Sequence, residues 1–117
     1  MGPRLLIVDD HASFRAVARA MLEEEGFEVV GEAADAAAAL RAVEQLRPTV
    51  VLLDVHLPDL DGFAVSELLA ALPFPPVVVL ISSRPLGDIR QRVSNSPAIG
   101  FIPKHELTGS TLTRLTG

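Results

Sequence analysis

Carboxylates, hydroxyls and one ammonium stand just beyond short apolar runs of this chain. Asp9 and Asp10 follow Leu5-Leu6-Ile7-Val8, and Asp54 follows Val50-Val51-Leu52-Leu53. Ser82 and Ser83 follow Val77 to Ile81, and Lys104 lies past Gly100-Phe101-Ile102. Carboxylates gathered at one edge repel each other unless protonated or bridged by a cation. Oxygen-only donors favour a hard ion such as Mg²⁺, which keeps several waters and uses one or two carboxylates together with a phosphate. A hydroxyl and an ammonium beside them complete a site for a phosphoryl group, one giving a hydrogen bond and the other a positive charge. Each residue alone has an ordinary explanation. An Asp after a strand is commonly a turn or cap residue, the Asp9-Asp10 pair could cap a helix, Ser82-Ser83 could form a loop, and a lysine is usually a solvated charge. The joint pattern is what carries weight. Lys104 adds to it, because nine of the ten basic residues are Arg and this is the single Lys.

The elements that must position these groups can be read from periodicity. Leu5 to Val8 is a buried strand, and Phe14, Val17, Ala18, Met21 and Leu22 recur at helical spacing from Ala12 to Glu25, with Gly26 as C-terminal cap. Val29 and Val30 centre a second strand, broken by Gly31 and running to Ala33. Asp35 caps an Ala-rich helix through Leu46, which Pro48 ends. A third strand closes on Asp54, and the turn-rich His56-Leu57-Pro58-Asp59-Leu60-Asp61-Gly62 leads to a helix reaching about Leu72. Val77 to Ile81 is the fourth strand, and a weak helix spans roughly Leu86 to Asn95. Gly100 to Ile102 is the fifth strand, and the tail from Glu106 can form a last helix. Five β-α units with continuously apolar strands imply a parallel, doubly wound α/β sheet covered on both faces. In such sheets ligands sit beyond the carboxyl ends of the strands, where the polar groups are found.

Composition bounds the rest. The 117 residues, 49% of them apolar, suffice for one domain over 1–117 with a real core. No cysteine is present, so disulfides, thiolate metal sites and a cysteine nucleophile are excluded. A net charge of −5 argues against a nucleic-acid surface, so no direct nucleic-acid binding by this domain is expected. Neither a secretory signal nor a run of about 18 apolar residues occurs, so no membrane role and a cytoplasmic location are expected.

The chain resembles, across essentially its whole length, the receiver domain of two-component response regulators. The resemblance rests on Leu5-Leu6-Ile7-Val8-Asp9-Asp10-His11, on Val51-Leu52-Leu53-Asp54-Val55-His56-Leu57-Pro58-Asp59-Leu60-Asp61-Gly62, on Val79-Leu80-Ile81-Ser82-Ser83 and on Gly100-Phe101-Ile102-Pro103-Lys104. Val8-Asp9-Asp10-His11 with Phe14-Arg15, and Glu28 to Ala33, are most similar to receivers of regulators carrying a helix-turn-helix DNA-binding output domain.

The resemblance implies a flavodoxin-like (βα)5 fold with strand order 2-1-3-4-5. It implies Asp54 as acceptor of a phosphoryl group from a sensor histidine kinase, with Mg²⁺ as cofactor. Asp10 would bind the ion directly, Asp9 through water, Asp54 by its carboxylate and His56 by its backbone carbonyl. Ser82 would contact the phosphoryl group, Lys104 would pair with the phosphoaspartate, and Ser82 and Phe101 would act as switch residues. Phe101 also reads as an ordinary core aromatic, and it lacks a hydroxyl to bond when turned inward. Catalysis would be limited to the domain's own phosphorylation and dephosphorylation. The output would be control of transcription if the domain is part of a longer regulator. The surface of the fourth helix, fifth strand and fifth helix would carry the signal and is a candidate homodimer face.

By the same resemblance His56 and Arg84, two residues past Asp54 and Ser82, would flank the acyl phosphate where side chains influence the hydrolytic water, so His56 is expected to alter phosphoryl lifetime, although its plainer reading is a solvent-facing loop residue. Pro97 stands where many relatives carry Gly and should stiffen the turn before the fifth strand. Pro85 and Gly87 weaken the start of the fourth helix, which is expected to be short, frayed or displaced. The tail, with four Thr and Gly109, is a poor helix former whose Leu107, Leu112 and Leu115 could still bury one face. Two rivals remain. One is a receiver-like interaction module working without phosphorylation, which the full set of acidic, hydroxyl and lysine positions disfavours. The other is a flavodoxin-like nucleotide or flavin binder, which the acidic first turn and missing Gly-rich loop disfavour.

Overall fold

A computed structural model describes residues 2–84, 87 and 89–117. Its strands are β1 (Arg4–Val8), β2 (Glu28–Ala33), β3 (Val50–Asp54), β4 (Val77–Ser82) and β5 (Gly100–Pro103). Its helices are α1 (Ala12–Glu24), α2 (Ala36–Leu46), α3 (Gly62–Ala70), α4 (Ile89–Ser94) and α5 (Gly109–Thr116), with a 3-10 turn at Lys104–Glu106. The five strands are parallel in the order β2-β1-β3-β4-β5, the order the resemblance implied.

Alternation along each strand divides the core between the two sheet faces. Leu6, Val8, Val51, Leu53 and Leu80 pack with Ala39 and Val43 of α2 and Val65 and Leu69 of α3. Leu5, Ile7, Leu52, Val79 and Ile81 pack with Ala18 and Leu22 of α1 and Leu112 of α5. Strands apolar at every position are thus buried on both sides, and this is why they showed no period-two pattern. The break at Gly31 is a register shift: Leu5 pairs with Val29 while Leu6 pairs with Gly31, leaving Val30 as the extra residue.

Caps set the helix boundaries close to the strand ends. Asp35 accepts from the Ala38 amide at 2.8 Å, as expected of it. Gly26 adopts φ +100 just past α1, a conformation that favours glycine. The cap of α1, however, is His11, whose side chain makes no capping bond, so the Asp9-Asp10 pair does not serve that purpose.

The last two helices contrast with each other. The described fourth helix, Ile89–Ser94, has six residues and buries none of them, in keeping with the short helix expected; of Pro85 and Gly87, to which its weak start was assigned, Pro85 lies outside the described residues. The tail overcomes its poor propensity through a reciprocal capping box. Thr108 Oγ1 accepts from the Thr111 amide at 3.0 Å, and Thr111 Oγ1 accepts from the Thr108 amide at 2.9 Å. Leu107 and Leu112 are buried and Leu115 packs against them.

Candidate functional site

β1, β3 and β5 deliver Asp9, Asp54 and Lys104 to one pocket at the carboxyl edge of the sheet. Because β1 pairs directly with β3, Val8 lies opposite Leu53, and the residues that follow converge. Asp9 is fully buried and Asp54 is 2% exposed. Lys104 Nζ reaches between them, 2.6 Å from Asp9 Oδ2 and 3.1 Å from Asp54 Oδ2. The other oxygen of Asp54 accepts from the His56 amide at 3.0 Å. Asp10 sits beside this group on the solvent side, with a partly exposed side chain.

Electrostatics follow from that burial. Desolvation is the largest influence on Asp54 and raises its pKa; the His56 amide and Lys104 pull the other way, and the charge of Asp9 adds to the rise. For Lys104, burial opposes the ammonium, but the hydrogen bond to Asp9 and the charge of Asp54 outweigh it, so its pKa is raised. Three carboxylates face a single ammonium here, so the pocket carries an excess of negative charge that a cation would relieve. Asp9 Oδ2 is buried and pairs with the Lys104 ammonium. Asp9, Asp10, His11 and Asp54 each offer a ligand atom within 4.8 Å of all the others. The donors are mainly hard carboxylate oxygens, which suit Mg²⁺.

The remaining expected residues lie around this pocket without joining its bonds. Ser82 is fully buried at the end of β4, and its Oγ accepts from the Arg84 amide at 3.0 Å. Phe101 is half-buried and packs against the α2–α3 side of the core. The side chains of His56 and Arg84 are exposed.

Several contributors were not singled out in the sequence. His11 Nδ1 lies 3.2 Å from both Asp9 Oδ1 and Asp10 Oδ1, and its amide donates to Asp9 Oδ1 at 2.8 Å. Arg15 donates to the Asp9 carbonyl at 2.6 Å and to Glu32 at 2.9 Å, tying α1 and β2 to the site. The Phe14 ring lies 4.7 Å from Lys104 Nζ, a cation–π contact on the ammonium. Gly62 donates to the Val55 carbonyl at 2.8 Å, and a Cβ there would come within 2.5 Å of the Asp54 carbonyl oxygen. Phe14 was marked by helical spacing and, with Arg15, by the resemblance, and Gly62 sat in a motif, but none had a role attached. The target of Arg15 is a backbone atom six residues away, which residue type does not reveal.

The family model for the response regulator receiver domain matches residues 5–115. Among curated proteins, the chain is 38% identical over 106 residues to the virulence-factor transcription regulator BvgA of Bordetella pertussis, covering 91% of this chain and 51% of that protein. It is 36% identical over 103 residues to the transcriptional regulatory protein PdtaR of Mycobacterium tuberculosis, covering 86% and 49%. The chain therefore spans about half the length of these relatives. Among solved structures, the signal receiver domain of the response regulator NarL from Mycobacterium tuberculosis superposes with a TM-score of 0.87 at 33% identity, over 99% of this chain and 98% of that one. No helix among the described residues is long and apolar enough to cross a membrane.

Proposed function

The chain belongs to the response regulator receiver domain family, and on that premise we propose that it accepts a phosphoryl group on Asp54 from a sensor histidine kinase. The observation that carries this reading is the ammonium of Lys104, held between Asp9 and Asp54 in a buried pocket at the strand ends. A carboxylate oxygen of Asp54 attacks the phosphorus of a phosphohistidine. The P–O bond forms as the P–N bond breaks, and the electron pair of that bond returns to the imidazole of the kinase. The product is an acyl phosphate.

Asp10, Asp54 and the His56 carbonyl would hold Mg²⁺ directly and Asp9 would hold it through water, and the ion would supply charge neutralisation on the phosphoryl oxygens. Lys104 leaves its pairing with the Asp54 carboxylate and follows the phosphoryl group, whose charge is near −2. Ser82 gives up the Arg84 amide and turns its hydroxyl to a phosphoryl oxygen. Phe101 turns inward into the space this opens. His56, exposed above the pocket, sets the lifetime of the acyl phosphate. These shifts bias the face of α4, β5 and α5 between two packings, as in a population shift. That face serves as the homodimer surface and passes the signal to an output that controls transcription. The domain works in the cytoplasm beside its kinase, and its only catalysis concerns its own phosphorylation and dephosphorylation.

The test is intact-mass measurement after incubation with Mg²⁺ and acetyl phosphate. A hydroxylamine-labile phosphoryl adduct, absent in Asp54→Asn, is the expected result. A protein that gains no adduct and whose spectra ignore beryllium fluoride would be acting by docking alone.

A further inference from the structure

We propose that Phe14 is a positioning residue: its ring face holds the Lys104 ammonium beside Asp9 in the unphosphorylated domain and restrains the lysine from moving to a phosphoryl group on Asp54. The inference rests on the reading of Asp54 as the acceptor and adds a latch on the lysine that answers it.

Three groups converge on the ammonium. Lys104 Nζ lies 2.6 Å from Asp9 Oδ2, 3.1 Å from Asp54 Oδ2 and 4.7 Å from the centre of the Phe14 ring. A cation within about 6 Å of a ring centre is drawn to the negative face of the ring, most strongly where water cannot compete. Among the cation–π pairs of the described residues, this one is the sheltered one. The Lys104 side chain is 11% exposed, against 55% for Arg92 over Phe63, and Arg47 over Phe74 is exposed as well.

The place of Phe14 on α1 gives the contact its direction. Phe14, Ala18 and Leu22 fall four residues apart on one stripe of the helix. Ala18 and Leu22 are buried in the core, whereas Phe14, in the first turn, is half-buried and packs against that core beside the lysine. The turn that carries the ring is tied down by Arg15, which bonds the Asp9 carbonyl at 2.6 Å and Glu32 at 2.9 Å. The ring is thus fixed with respect to β1, while the phosphoryl group would add on β3. A lysine that follows that group out of its present place leaves the ring face. A contact made in only one of two states shifts the balance toward that state, so the ring favours the unphosphorylated arrangement.

Lys104 is the single lysine, so isotope-labelled lysine gives one ε-methylene signal to follow by NMR. In the wild type that signal should lie upfield of free lysine, because the ring current shields protons over the ring face. Beryllium fluoride with Mg²⁺ should move it back downfield as the ammonium departs. Phe14→Leu keeps an apolar side chain without the π face; it should lack the upfield shift and respond at a beryllium fluoride concentration about two- to tenfold lower. Phe14→Tyr should restore both readouts, which a packing role alone would not require, and circular dichroism checks that the variants fold. A wild-type signal without the upfield shift, or one that keeps it at saturating beryllium fluoride, would overturn the latch even if Phe14→Leu did not fold. So would a half-saturation in Phe14→Leu equal to or above that of the wild type. If the wild type ignores beryllium fluoride and gains no adduct from acetyl phosphate, the acceptor reading fails and the latch with it; a normal wild-type response with an unchanged Phe14→Leu removes the latch alone.

Discussion

The two sides of the Asp54 pocket are fastened in different ways. On the β1 side, Asp9 is held by its carbonyl to Arg15, by its carboxylate to the His11 amide and by charge to Lys104. Arg15 and Arg19 continue that network to Glu32, whose carboxyl the Arg19 bond holds below the usual range. On the β4 side, the hydroxyl of buried Ser82 bonds to its own loop, and α4 fully buries none of its six residues, with Ile89 and Val93 packed against the core in part. What holds α4 includes a surface contact, Arg92 to Asp61 at 3.3 Å with its guanidinium 4.2 Å from the Phe63 ring centre. One side is an electrostatic frame set before any reaction, and the other has few contacts to break. The proposed rearrangement on phosphorylation would draw on that inequality, because elements that move come from the low-stability end of a structure.

The largest test of this contrast is Lys104→Ala. Removing one member of a buried ionic group leaves Asp9 and Asp54 facing each other, and the expected loss is about 3–5 kcal/mol in urea unfolding at neutral pH. Added Mg²⁺ should restore part of it, by about 2.7 kcal/mol at a hundredfold excess over the dissociation constant. A loss no larger than a surface substitution would mean the frame is not under charge strain. Gly62→Ala comes next. Its methyl group would press on the Asp54 carbonyl, and the overpacking should cost about 1–3 kcal/mol, visible in thermal melts.

Asp54→Asn should act in the opposite direction and stabilise. The native pKa of Asp54 is raised, chiefly by desolvation, so its ionisation favours the unfolded chain. The wild type therefore loses stability as pH rises from the ordinary carboxylate value through the raised one. The gain from Asp54→Asn should be full above the raised value and vanish below the ordinary one, in melts recorded across that range. The smallest effect belongs to the loose side. Arg92→Ala should cost at most about 1 kcal/mol, as exposed pairs do, while hydrogen exchange at α4 amides accelerates. A cost as large as that of Lys104→Ala would erase the distinction between the sides.

Much of this was legible in the residues. The ends of β1, β3 and β4 were marked because each of those strands is an uninterrupted apolar run followed by or ending in a polar group. Asp35 was marked as a cap, and Pro85 with Gly87 marked the weak fourth helix. What was hidden depends on directions across elements. Whether His11 turns to its own helix or to Asp9 and Asp10 is a matter of rotamer, and the reach of Arg15 back to a carbonyl depends on the first turn of α1. The last helix was under-read for another reason: Thr lowers helix propensity in general, yet at Thr108 and Thr111 the hydroxyls close the capping box and so start the helix.

Asp59 illustrates how far the surroundings of Asp54 extend. The segment between β3 and α3 read as a turn, but its Asp59 carboxylate accepts from the amides of Ala36 at 2.9 Å and Ala37 at 3.1 Å, while Asp61 caps α3 at the Ala64 amide. The Ala36 bond is the first reason the Asp59 carboxyl stays below its ordinary pKa. The peptide after Asp54 is therefore strung like a short cable between two helix ends. Any tension put on it at Asp54 should register in the nitrogen and proton frequencies of Ala36 and Ala37, two alanines tied to it through Asp59, which can so be read as its remote strain gauge.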